Sequence, residues 1–85
     1  MQVVKRDGTI VEFDRSKIAI AIGKANQSVD AEERISDEDI ERIVHCIESK
    51  HRDRLLVEDI QDMVEEKLMR AGKYLLAKNY VIYRY

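Results

Sequence analysis

Residues 2–22, QVVKRDGTIVEFDRSKIAIAI, restrict the fold more than any other stretch of the chain. Two short apolar runs, Val3-Val4 and Thr9 to Phe13, flank Asp7-Gly8, a dipeptide that readily enters the left-handed conformation of a tight turn. This pattern predicts a β-hairpin. Asp14 follows directly at the position of a helix N-cap, and Phe13 and Ile18 are five apart, as a hydrophobic staple requires. The sheet therefore delivers the chain straight into a helix.

Two hairpin registers fit. A two-residue Asp7-Gly8 loop pairs Arg6 with Thr9, and a three-residue Arg6-Asp7-Gly8 loop with Gly8 left-handed pairs Lys5 with Thr9. The second is preferred because it puts Val3, Lys5, Thr9 and Val11 on one face, where a lysine among apolar neighbours could wall a pocket. Lys5 and Arg6 at the tip, and Lys17 in the first helical turn, lie beside free backbone N–H groups and the positive end of the helix dipole. This outlines an anion site. A cation in a first turn opposes the dipole, so a bound anion would remove a conflict. Taken generically, three such cations are solubilising surface charges.

Eighty-five residues hold one small domain. With 45% hydrophobic and 38% charged residues, three glycines and no proline, the composition favours helices over disorder. The single Cys46 excludes an internal disulfide and a CxxC zinc motif, and fits a reducing cytosol. No apolar run approaches the roughly 20 residues of a membrane span, and the N-terminus lacks the shape of a signal peptide. Charge is uneven: residues 1–25 carry five bases and three acids, 26–66 five and fourteen, and 67–85 five and none. If the two basic ends meet, their cations can combine around an anionic ligand while the acidic middle faces water and repels a long nucleic acid. No nucleic-acid or membrane partner is expected.

The first helix is predicted over about Arg15 to Ala25, with Ile18, Ala21, Ile22 and Ala25 buried and Ala19 and Ile20 extending the stripe toward the sheet. Asn26 to Arg34 reads as a polar loop. Ser36 caps a second helix with acids in its first turn, an Ile35/Ile40 staple and a stripe of Ile40, Ile43, Val44 and Ile47. His45 and Cys46 are consecutive, so they point about 100° apart on a helix and suit a partly buried structural pair better than one metal ion. His51, among basic neighbours, is assigned to the surface.

Leu55-Leu56-Val57 reads as a third strand. Glu58 to Ala71 follows as a third helix, with Ile60, Val64, Leu68 and Ala71 on one stripe and Gly72 as its stop. Gln61, one turn in, either faces solvent or hydrogen-bonds a ligand over the sheet. A last helix, Lys73 to Tyr85, offers Tyr74, Leu75, Ala77, Val81 and Ile82 for burial. Its Tyr80, Tyr83 and Tyr85 could stack on a base, though core or interface roles are commoner, and its Lys78 and Arg84 are cations that could return to the hairpin. No nucleophile, metal cluster or Walker-type loop accompanies a positioned base, so no catalytic or metal-ligating residues are expected.

VVKRDGTIVEFDRSKI, LVEDIQDMVEEKLM and LAKNYVIYRY, in this order over nearly the whole chain, resemble the ATP-cone, the allosteric nucleotide-binding domain of ribonucleotide reductases. The ending NYVIYRY resembles most the cones of anaerobic ribonucleoside-triphosphate reductases. The resemblance implies an α+β fold, a four-helix bundle capped by a small three-stranded β-sheet, in a non-catalytic domain excised from the N-terminus of a larger reductase. It implies a nucleotide site in which Val3, Lys5 and Arg6 come from the hairpin and Lys17 and Ile18 from the first helix. Val57, Ile60, Gln61 and Val64 would form the adenine and ribose side. Lys5 and Lys17 would bind phosphates. ATP or dATP with Mg²⁺ would be the effector, and the parent's catalytic region, with possible cone–cone oligomerisation, the protein partner. Position 61 is Gln where some members have His, and the family tends to continue with further bases beyond the point where this chain stops, which leaves Arg84 as the substitute phosphate ligand. The alternative from another class is a nucleotide-independent helical interaction module.

Overall fold

The structure, a computed structural model, describes residues 1–50 and 52–84. Strand β1 (Gln2–Val4) and strand β2 (Ile10–Glu12) form the hairpin, and helix α1 (Arg15–Gln27) follows two residues later. A single 3₁₀ turn (Ala31–Glu33) leads to α2 (Asp37–Glu48), and β3 (Arg54–Leu56) runs without a break into α3 (Val57–Arg70). Helix α4 (Tyr74–Tyr83) ends the described chain. The architecture is α+β, a bundle of four helices under a three-stranded sheet of order β2-β1-β3, with β1 antiparallel to β2 and parallel to β3. Expectation and structure agree on this fold.

The hairpin adopts the three-residue loop. Val3 pairs with Val11, Lys5 N–H donates to the Thr9 carbonyl at 2.8 Å, and Gly8 sits at φ 86°, the conformation for which the turn uses glycine. Hydrogen bonds from Thr9 hold the Asp7 carboxyl below its ordinary range and lock the loop. The parallel partner β3 needs a long crossover, and α1 and α2 supply it.

Both early helix starts form as their residues dictate. The Asp14 carboxylate accepts from Ser16 N–H at 3.0 Å and from its hydroxyl at 2.6 Å, and the Ser36 hydroxyl accepts from Asp39 N–H at 3.1 Å. Ile18, Ala21, Ile22 and Ala25 are buried as predicted, whereas Ile20 is 55% exposed: it lies off the stripe, and only Ala19 packs against the core. Gly23 lies within α1, and a Cβ there would meet nothing within 4 Å. Gly23→Ala is therefore expected to raise stability by about 0.5–1 kcal/mol in urea denaturation, by removing backbone freedom from the unfolded chain.

The polar loop is shorter and more structured than expected. α1 takes its first two residues, Val29 is buried, and the Asn26 side chain holds Ile35 through both its backbone N–H and C=O at 2.9 Å. Val57 opens α3 instead of closing the strand, and Ala71 is exposed because it caps the helix beyond its buried turns. Gly72 at φ 77° ends α3 as predicted, with Lys73 N–H donating to the Leu68 carbonyl at 3.0 Å. His45 is exposed beside Glu48 and Cys46 is half-buried, so only the cysteine of that pair approaches the core. The surface assignment of His51 and any role of Tyr85 lie outside the described residues.

The largest correction concerns α4. Leu76, Ala77 and Tyr80 face the core, while Tyr74, Leu75 and Ile82 are exposed and Val81 is half-buried. The helix packs between α1 and α3, where the small Ala21 and Ala25 of α1 permit close approach. Among the described residues no helix is long and apolar enough to cross a membrane.

Candidate nucleotide site

Under the sheet, between the starts of α1 and α3 and the end of α4, lies a cavity of about 500 Å³. Its roof is Val3 and Val11, paired across the hairpin, and its mouth carries Lys5 and Arg6 from the tip. Lys17, Ile18 and Ala21 enter from α1, Val57, Ile60 and Gln61 from α3, and Tyr80 and Arg84 from α4. Residues at opposite ends of the sequence thus meet, and with them cations from both basic ends.

The cavity is apolar at depth and charged at its mouth. Val3, Ile18 and Ile60 are 7%, 8% and 5% exposed, whereas Lys5, Arg6 and Lys17 remain exposed. Two neighbouring acids have structural roles, Asp7 in the loop and Asp14 as the α1 cap, while Glu12 also lines the cavity and Glu58 stands near Arg6. Hydrogen bonds from Ser16 keep the Asp14 carboxyl below its ordinary value of 3.8. A depressed folded value stabilises above the unfolded one and is lost as pH falls through the folded one. Thermal midpoints taken from about pH 6 down to about pH 3 should therefore fall, and fall less in Asp14→Asn, whose amide caps without titrating.

Gln61 is the buried polar residue of the site, 7% exposed. Its Oε1 accepts from the Arg6 guanidinium at 3.3 Å and its Nε2 donates to the Arg84 carbonyl at 3.3 Å. The amide orientation follows from chemistry, since arginine only donates and a carbonyl only accepts. Gln61 thereby joins the hairpin tip to the end of α4. Arg6 also lies 3.6 Å from Glu58, and Arg84, its side chain 16% exposed, lies 3.6 Å from Glu65.

Of the residues singled out in sequence, Val3, Lys5, Arg6, Lys17, Ile18, Val57, Ile60, Gln61 and Arg84 line this cavity. Val64 does not: one turn beyond Ile60, it is fully buried in the bundle. Lys78 is exposed and stays away from the cavity, and so does Tyr83. Sequence reasoning placed Val11 on the pocket-wall face and left Tyr80 between a core role and contact with a base; among the cavity residues it missed are Phe13 and Ala21. Both had a signal: Phe13 is the staple partner of Ile18, and Ala21 lies one turn past Ile18.

No cluster of three or more histidine, cysteine or carboxylate side chains able to hold a metal ion occurs among the described residues. The chemistry available is binding: a concave apolar chamber with a cationic rim fits a molecule that has one flat apolar part and one polyanionic part.

Comparison with known proteins agrees with that geometry. The chain matches the ATP cone domain family over residues 1–85. It is 35% identical over 99% of its length to the ribonucleoside-diphosphate reductase subunit alpha of Chlamydia trachomatis. It is 43% identical over 98% to the vitamin B12-dependent ribonucleoside-diphosphate reductase of Thermoplasma acidophilum. With the anaerobic ribonucleoside-triphosphate reductase of Haemophilus influenzae it shares 32% over 98%. The chain spans 9%, 11% and 12% of these relatives. Similarity extends across diphosphate and triphosphate reductases alike, so it marks the domain and does not single out the anaerobic class. The chain belongs to the ATP-cone family, regulatory domains of ribonucleotide reductases.

Proposed function

We propose that this domain binds ATP and dATP competitively in the cavity under its sheet and reports their ratio to an attached ribonucleotide reductase. ATP permits activity and dATP suppresses it, and the domain itself catalyses nothing. The observation that carries the reading is the meeting of Lys5, Arg6, Lys17 and Arg84 around an apolar chamber of about 500 Å³. Adenine and ribose occupy the apolar side near Val57, Ile60 and Gln61, and the triphosphate lies toward Lys5 and Lys17. Magnesium arrives with the nucleotide, held chiefly by phosphate oxygens and water.

ATP and dATP differ only at the ribose 2′ position, so a small difference in contacts must select between helix arrangements. Coupling of about 1–3 kcal/mol is the usual size of such an effect. The parent's catalytic region, or a second cone, reads the change as altered packing. Calorimetric titration of the domain with ATP, dATP and GTP in Mg²⁺ tests the reading. Saturable binding of ATP and dATP with weak binding of GTP is the expected result. Absence of nucleotide binding by the folded domain favours the interaction-module alternative, and equal, steeply salt-dependent binding of ATP, GTP and oligonucleotides would point to nucleic acid.

A further inference from the structure

Tyr80 is the largest side chain sealed in the core, 2% exposed, yet it lines the cavity. A buried tyrosine hydroxyl ordinarily finds a hydrogen-bond partner. Among the described residues this one has none, and it is absent from the buried side-chain atoms that lack both solvent and partner. The small surface that Tyr80 retains therefore includes its oxygen, which lies within reach of the charges of Arg84 and Glu65 on the α4 side of the cavity. Phenylalanine would fill the same core volume, so packing gives no reason for the hydroxyl.

We infer that the Tyr80 hydroxyl is a ligand-reading group, hydrogen-bonding the nucleoside half of the nucleotide at the bottom of the cavity. The inference rests on the nucleotide reading of the cavity and adds a specificity-determining residue to it. Placement assigns the half. The exposed Lys5, Arg6 and Lys17 hold a triphosphate at the solvated mouth, while Tyr80 lies with Val3, Ile18 and Ile60 where only the flatter, less charged part can enter. Burial pushes the phenol up to about 12, so the group keeps its proton and can donate throughout the physiological range.

Tyr80→Phe removes one oxygen and tests this in three titrations, with ATP, dATP and inorganic tripolyphosphate, beside a thermal melt of the ligand-free domain. The expected result is about a tenfold weaker binding of ATP and dATP, unchanged binding of tripolyphosphate, and a melting midpoint that is unchanged or higher. Equal nucleotide affinity in the variant and the original overturns the proposal and leaves the nucleotide site standing. A weakened affinity with a lowered midpoint, or an equal loss for tripolyphosphate, also overturns it, because the oxygen then acts through the fold or on the phosphates. Failure of the original domain to bind ATP removes the nucleotide reading and this proposal together.

Discussion

Lys17→Ala is expected to lower ATP affinity at least tenfold, and Lys5→Ala combined with it at least a hundredfold. A hydrogen bond to a charged group contributes about 1.5–3 kcal/mol, and about 1.4 kcal/mol is a factor of ten. Lys17 makes no ion pair among the described residues and stands in a first turn that contains no acid. It opposes the α1 dipole. Loss of affinity should therefore come with a thermal midpoint that holds or rises slightly, the reverse of what a structural lysine would give. Calorimetry at two salt concentrations checks the electrostatic origin: the gap between original and variant should narrow as salt screens the exposed cations. An unchanged affinity for Lys17→Ala would remove the phosphate role from α1 and with it the proposed orientation of the nucleotide.

Leu76→Ala is the largest expected loss of stability. Leu76 is completely buried where α4 meets the other helices, and truncation leaves a cavity that costs about 2–5 kcal/mol. Total stability of a domain is about 5–15 kcal/mol, with small domains toward the low end, so much of the molecule's reserve goes with this one side chain. The urea midpoint should fall steeply. Ile82→Ala, at a position 68% exposed on the same helix, should move stability by less than about 0.5 kcal/mol. The pair tests the phase of α4, and equal effects would contradict it.

That phase marks a limit of what sequence reasoning could reach. In α2, Ile40, Ile43, Val44 and Ile47 recur against charged neighbours, so periodicity alone names the buried face. In α4, Tyr74, Leu75, Leu76, Ala77, Tyr80, Val81 and Ile82 leave hardly any polar face, so several rotations bury similar apolar area. Packing against α1 and α3 decides among them, and it selects Leu76, Ala77 and Tyr80. The same uncertainty left Tyr80 between a core role and contact with a base, while the hairpin-borne part of the candidate site is local along the chain.

What the sequence alone determined is what neighbouring residues can decide among themselves. Asp14 and Ser36 cap their helices and Gly8 and Gly72 supply positive φ, because each involves a few residues close along the chain; between the two hairpin registers that the sequence left open, the structure chose the three-residue loop. Only the tertiary structure decided that Gln61 is buried between Arg6 and the Arg84 carbonyl, that Val64 stays in the core away from the cavity, and that cations from both ends share one rim. The Arg6–Gln61 hydrogen bond alone joins residues 55 positions apart. Their partners are set by the packing of helices and sheet, and no local pattern carries that information.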